Sequence, residues 1–132
     1  MDIEILKIAS DTRNHKILKN FTHSAKLKNN LCGDEIKISL KVSKNKISDF
    51  AYECKSCVYC QASASVLSKI SINNNINFVE KLTGFIGSFF DDPLVKFPKK
   101  WKDFERLFNK QNIPRKDCLL LPFKTLVKAL KL

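Results

Sequence analysis

The chain has 132 residues, 44% of them hydrophobic, which is enough to bury the core of one domain spanning residues 1–132. Its formal net charge of +11 comes mainly from lysines scattered along the chain, so nucleic acid is not expected as the partner. No apolar run reaches the roughly 20 residues of a membrane helix, and the start MDIEILKIAS is not typical of a signal peptide. We therefore expect a cytoplasmic protein without membrane partners, whose five cysteines are reduced.

Hydrophobic periodicity predicts the elements in chain order. Residues 2–9 favour a short helix, and FTHSAKLK is compatible with a strand. EIKISLKV and DFAYEC both alternate apolar and polar residues, which predicts an antiparallel hairpin with SKNKIS as its turn. A helical period then predicts a helix from near Cys57 to about Ile70, followed by helices in FVEKLTGFIGSFF and WKDFERLF. The segment NKQNIPRKD is predicted to be a loop.

The last predicted helix begins at Cys118, and Pro122 is tolerable in it only within the first turn. Its inward residues are expected to be Leu120, Phe123, Val127 and Leu130. A meander followed by helices predicts an α+β fold: a three-stranded antiparallel sheet with helices packed on one face and a metal site at one end.

The cysteines suggest metal chemistry. Cys32 and Asp34 stand two residues apart before a strand, so an extended backbone projects both to one side. Cys57 and Cys118 each lie at a predicted helix N-terminus, which stabilises a thiolate. Three thiolates and one carboxylate suit tetrahedral zinc or an iron–sulfur cluster with one non-thiol ligand. The run CKSCVYCQ lacks the nearby fourth cysteine followed by proline that a ferredoxin motif requires.

LCGDEIKISLKV, CVYCQASAS and PRKDCLLLPFKTLVKAL together resemble the IscU/SufU family of iron–sulfur cluster assembly proteins, which is related to the N-terminal domain of NifU. The long segment between Cys57 and Cys118, with Arg115 three residues before the last cysteine, resembles the SufU branch. The IscU histidine before that cysteine and the IscU chaperone motif are replaced here by Asp117 and NIPRK.

The resemblance implies that Cys32, Asp34, Cys57 and Cys118 bind zinc. It also implies a sulfur-transfer role, in which Cys32 accepts persulfide sulfur from a cysteine desulfurase of the SufS type. Cys118 is the second candidate for acceptor, and Arg115 is expected to help the docking. Other iron–sulfur assembly proteins are the expected partners downstream. A sulfurtransferase activity would require the desulfurase.

Two alternatives remain open at this point. The same four ligands could hold iron in a transient [2Fe–2S] cluster, which would make the protein an assembly scaffold. The other alternative is a basic, metal-stabilised module that binds nucleic acid, which would show strongly salt-sensitive binding.

Several residues depart from the family pattern. Cys54 and Ser56 stand at positions usually held by glycine, and Cys60 stands where serine is usual. Cys54 and Cys60 are interpreted as packing residues, with auxiliary thiols as the alternative. Asp117 replaces a lysine and should raise the pKa of Cys118 unless it caps the helix.

Histidines and serines receive structural interpretations. His15 and His23 are expected to be surface or packing residues, because no ligand motif surrounds them. Ser63 and Ser65 are expected to be small helix-packing residues, because the chain shows no Ser/His/Asp constellation.

Overall fold

The computed structural model describes residues 3–31, 33–92 and 94–132. The predicted α+β class is confirmed: a sheet of strand order β1-β2-β3, antiparallel throughout, packs its apolar face against helices. Within the described residues no helix is long and apolar enough to span a membrane. The elements, in chain order, are α1 Ile3–Ala9, β1 His23–Lys28, β2 Glu35–Ser43, β3 Lys46–Lys55, α2 Val58–Ser71, α3 Ile76–Asp91, α4 Lys102–Glu105 and α5 Lys116–Leu130.

The predicted hairpin joins β2 to β3, and its turn is shorter than the six residues expected. Only Lys44 and Asn45 separate the strands, and both have positive φ, 52° and 63°. This is the backbone of a two-residue turn whose twist matches that of the strands. The apolar face of β2, at Ile36, Ile38 and Leu40, is fully buried as its alternation predicted.

The outer edge of β3 is covered by the connection between α1 and β1. The backbone N–H of Tyr52 donates to Asn14 at 2.9 Å, and the N–H of Lys16 donates to Tyr52 at 3.1 Å. These two bonds satisfy edge groups that would otherwise face solvent. They also hold the intervening His15 beside the strand.

The segment between α3 and α5 differs from its prediction. WKDFERLF does not form one longer helix: its first residue ends a 3₁₀ turn, Lys99–Trp101, and the single-turn helix α4 follows. Its apolar residues are nevertheless buried as expected, at Trp101, Phe104, Leu107 and Phe108. The predicted loop after it contains a second 3₁₀ turn, Lys110–Arg115, which the Asn109 side chain caps.

The last helix requires two corrections. It begins at Lys116, so Pro122 lies in its second turn and cannot donate to the Cys118 carbonyl. The buried face is also rotated from the predicted one: Leu120 and Val127 are half-buried, whereas Leu119 and Leu126 are fully buried. The reason is that α5 packs simultaneously on the sheet and on α2, so more than one stripe of side chains turns inward.

Candidate metal centre

Asp34, Cys57 and Cys118 come together at one end of the sheet. Asp34 directly precedes β2, and Cys57 lies two residues after the end of β3, at the end where Glu35 pairs with Lys55. Cys118 is the third residue of α5. One ligand atom from each of the three residues lies within 4.8 Å of the others.

The loop that presents Asp34 is closed by its own backbone. The N–H of Asn29 donates to the Asp34 carbonyl and the N–H of Gly33 donates to the Asn29 carbonyl, both at 2.7 Å. Gly33 has φ +76°, a left-handed conformation that glycine adopts without strain. The predicted ligand Cys32 belongs to this loop by sequence but lies outside the described residues.

The Asp34 carboxylate contacts Cys57 through both oxygens. Oδ1 accepts the backbone N–H of Cys57 at 2.9 Å, and Oδ2 accepts the Cys57 thiol at 3.3 Å. Asp34 is only 4% exposed, so these contacts form away from bulk water. One carboxylate oxygen therefore orients the residue that begins α2, while the other faces the thiol.

Both cysteines occupy helix N-termini, as predicted. Cys57 is the N-cap residue of α2, with extended backbone and no side-chain cap, and Cys118 lies in the first turn of α5. The unpaired N–H groups of a first turn favour negative charge on a nearby thiolate. The geometry is thus suited to anionic sulfur ligands.

Without a cation, burial and the neighbouring acidic groups disfavour ionisation of the Cys118 thiol. The pKa of Cys118 is raised well above its usual range, first by burial and then by the neighbouring Cys57 and Asp34. A bound cation removes this penalty, because it neutralises all three groups at once. Ligand atoms around tetrahedral zinc lie about 3.3–3.8 Å apart, given metal–ligand bonds of roughly 2.0–2.3 Å. The donor set therefore fits such an ion, and small side-chain movements would bring ligand atoms that lie within 4.8 Å of one another to this spacing.

The two other cysteines that the structure describes are not members of this three-residue group. Cys60 is 0% exposed within the hydrophobic core, and burial raises the pKa of its thiol, in keeping with a packing role. Cys54 is half-buried, and its Sγ lies 4.0 Å from Nε2 of His15. His15 itself stacks on Tyr52, with ring centroids 5.0 Å apart.

Arg115 and Asp117 flank the start of α5 and are both exposed. Cζ of Arg115 lies 5.1 Å from the ring centroid of Tyr59, which is in the first turn of α2. This cation–π contact joins the residue before α5 to the first turn of α2, the two helices whose starts carry Cys118 and Cys57. Asp117 does not cap the helix, because the N-cap position belongs to Arg115.

The sequence interpretation missed the specific bonds of the buried serines. Ser63 Oγ donates to the Leu119 carbonyl at 2.7 Å, and Ser65 Oγ donates to the Asp11 carbonyl at 2.9 Å. Ser63 thereby ties α2 to the residue that follows Cys118. The sequence did indicate such bonds, because serines on an otherwise apolar, buried helical face need hydrogen-bond partners.

Fold and site together define a small α+β protein with a candidate metal centre at one end of its sheet. Residues 2–99 match the family described as the NifU-like N-terminal domain. The chain belongs to the NifU-like N-terminal domain family. The matched span includes Asp34 and Cys57 and ends before Cys118.

Two relatives are similar over most of the chain. The iron–sulfur cluster assembly scaffold protein IscU of Thermotoga maritima is 34% identical over 112 residues, which cover 79% of this chain and 73% of that protein. An uncharacterized protein of Borreliella burgdorferi is 29% identical over 118 residues, which cover 86% of this chain and 74% of that one.

Solved structures share the fold. The N-terminal NifU-like protein from Brucella abortus has a TM-score of 0.89 at 21% identity, covering 98% of this chain and 91% of that one. FiSufU from Fervidobacterium islandicum AW-1, a candidate cluster assembly scaffold of the SUF system, has a TM-score of 0.88 at 23% identity. That alignment covers 98% of this chain and 96% of FiSufU.

Proposed function

We propose that this protein acts in iron–sulfur cluster assembly as a zinc-dependent acceptor of persulfide sulfur, of the SufU type. The observation that carries the proposal is the convergence of the Asp34 carboxylate with the Cys57 and Cys118 thiols. Membership of the NifU-like family and similarity to a cluster assembly scaffold protein support the coarser part of the proposal, a role in iron–sulfur cluster assembly.

In this proposal Cys32 completes a four-ligand set with Asp34, Cys57 and Cys118. Zinc bound there would hold the thiols as thiolates, which a buried site otherwise disfavours. Asp34 fixes Cys57 through its backbone N–H, so the first turn of α2 keeps its position when ligands exchange.

Sulfur acceptance is a thiol–persulfide exchange. A thiolate of this chain attacks the outer sulfur of the desulfurase persulfide, the S–S bond breaks, and the desulfurase cysteine leaves as a thiolate. Cys32 is the proposed acceptor and Cys118 the second candidate. Because Cys118 is only 8% exposed, it would need a rearrangement of the site before it could attack.

The desulfurase is proposed to dock against the exposed rim of the site. Arg115 offers a guanidinium that is exposed yet held over Tyr59, so an acidic group on the partner would meet a cation of limited mobility. Other iron–sulfur assembly proteins would receive the sulfur afterwards.

A second candidate function is that of a scaffold carrying a transient [2Fe–2S] cluster. The similarity to the IscU scaffold of Thermotoga maritima favours it, and the same donor set could hold iron. The two candidates differ in the metal that the resting protein retains.

The deciding experiment is anaerobic purification followed by metal and sulfide analysis, then a desulfurase assay with cysteine as substrate. The sulfur-acceptor proposal expects about one zinc per chain, no visible charge-transfer bands and a desulfurase turnover that rises when the protein is added. Stoichiometric iron and sulfide with visible bands would support the scaffold instead. Zinc without any effect on the desulfurase would contradict the acceptor role.

A further inference from the structure

A second thiol-bearing site lies at the edge of the sheet, outside the three-residue metal group. Cys54 and His15 line a cavity of about 410 Å³ together with lysines and glutamates from β1, β2 and β3. Cys54 is half-buried, three residues before Cys57. It lies close enough to Asp34 and Cys57 for their negative charges to raise its pKa.

His15 is positioned to take a proton from the Cys54 thiol. Its Nε2 lies 4.0 Å from Cys54 Sγ and 3.5 Å from the Cys54 backbone nitrogen. Because that N–H donates to Nε2, this nitrogen carries the lone pair of the ring, and transfer of the thiol proton to Nε2 would replace this long hydrogen bond. Stacking on Tyr52 fixes the plane of the ring.

The charges around the cavity suit a negatively charged sulfur compound. Positive charge is in excess in its lining, because four lysines face two glutamates. The lysines are Lys16, Lys26, Lys37 and Lys55, and the glutamates are Glu35 and Glu53. Burial is the main cause of the raised Cys54 pKa, and a hydrogen bond from Ser56 opposes it. The thiol therefore needs a base, which the adjacent imidazole provides.

The other described thiols are less available than Cys54. In the proposed zinc-bound protein Cys57 and Cys118 are engaged as ligands, whereas Cys60 is 0% exposed. Among the cysteines that the structure describes, Cys54 is thus the one that combines an open cavity, a neighbouring base and freedom from the metal group.

We propose that the Cys54–His15 pair is an additional persulfide-accepting site. This proposal rests on the proposed role of the protein in sulfur transfer. His15 takes the thiol proton, and the Cys54 thiolate attacks the outer sulfur of an incoming persulfide. The donor S–S bond breaks, a new S–S bond forms on Cys54, and the donor leaves as a thiolate that regains the proton. No oxidant or reductant is needed, because sulfur passes from one thiol to another.

The test uses the zinc-loaded full chain and cysteine persulfide as donor, without desulfurase. Alkylation at short times traps persulfides, and trypsin then separates the candidates, because Lys46 and Lys55 release ISDFAYECK with Cys54 alone. Cys57 and Cys60 fall together in SCVYCQASASVLSK, Cys118 in DCLLLPFK and Cys32 in NNLCGDEIK.

The expected result is a single added sulfur that appears first on the peptide ISDFAYECK. His15→Gln should slow this labelling by about tenfold or more, since general bases contribute at least that much. His23→Gln is the matched control and should label at the parent rate, because its ring contacts Thr22 instead. Cys54→Ser should lose the early uptake while it retains zinc.

The proposal is overturned if sulfur appears first on any other cysteine peptide, or if His15→Gln labels as fast as His23→Gln. Because the donor is a small molecule, these outcomes are independent of desulfurase stimulation. If the protein stimulates the desulfurase but Cys54 is not labelled, the proposed function stands and only the proposal for Cys54 and His15 is rejected.

Discussion

The hydroxyl of Ser63 donates to the carbonyl of Leu119 at 2.7 Å, which joins the middle of α2 to the residue after Cys118. Both serine and leucine are fully buried. Since Cys57 begins α2 and Cys118 lies in the first turn of α5, this bond helps set the relative position of the two thiols.

Ser63→Ala should lower both stability and metal affinity. Loss of one buried hydrogen bond costs about 1 kcal/mol, and a displaced metal ligand costs about tenfold in affinity. Ser65→Ala is the matched control, because it loses a hydrogen bond of similar length, to the Asp11 carbonyl, that is part-buried and lies away from Cys118. Thermal unfolding and a zinc-competition titration should show similar losses of stability, with the affinity loss confined to Ser63→Ala. Equal zinc affinities would contradict the coupling.

Asp34→Asn and Asp34→Ala separate the two roles of the carboxylate. Asparagine keeps an oxygen for the Cys57 N–H, whereas alanine leaves that donor without its acceptor. In the presence of a chelator Asp34→Ala should therefore unfold more easily than Asp34→Asn, by about 1–2 kcal/mol. Both should bind zinc more weakly than the parent while three thiolates still retain it. Coincident unfolding curves would show that the Asp34–Cys57 bond contributes nothing.

Cys60→Ser should lower stability without loss of zinc, whereas Cys118→Ser should lose zinc. Serine at the fully buried position 60 places a hydroxyl in the core, so stability should fall by about 1–3 kcal/mol while zinc content stays unchanged. Cys118→Ser removes a thiolate ligand and should lose most of the zinc. Zinc analysis after gel filtration checks both variants. If Cys60→Ser lost zinc and Cys118→Ser kept it, the metal site would not be the group of Asp34, Cys57 and Cys118.

Arg115→Ala should retain zinc and weaken stimulation of the desulfurase. The side chain is exposed and contacts Tyr59 rather than the three-residue metal group, so only docking should suffer. Tyr59→Phe keeps an aromatic face beneath the guanidinium and should behave like the parent. The measurement is the concentration of this protein that gives half-maximal desulfurase turnover. An unchanged value for Arg115→Ala would remove Arg115 from the docking surface.

Asp11 should make stability depend on pH in the acidic range. Its carboxylate contacts Lys69 of α2 and Arg13, each at 3.0 Å, and the pKa is lowered from 3.8 to about 2, mainly by the hydrogen bond from Lys69. A lowered pKa means stabilisation that is complete above about pH 4 and lost as the pH falls through about 2. The melting-temperature difference between the parent and Asp11→Asn should be constant near neutrality and shrink on acidification. A constant difference at all pH values would contradict the assignment.

Local sequence patterns were sufficient to predict the order and type of most elements. Alternation in EIKISLKV and DFAYEC identified β2 and β3, because one buried face imposes a period of two on a strand. Local patterns also placed Cys57 and Cys118 near helix N-termini, although α5 begins two residues before the predicted start at Cys118. The family assignment likewise followed from motifs that are local in the chain.

The contacts that these residues make could not be predicted from local patterns. The start of α5 and the rotation of its buried face depend on packing against the sheet and α2, which Pro122 and the local pattern do not reveal. Three contacts join residues that are distant in sequence: Ser63 with Leu119, Arg115 with Tyr59, and Cys54 with His15. Periodicity reports which face of an element is buried, whereas the identity of a contact depends on how the elements pack together.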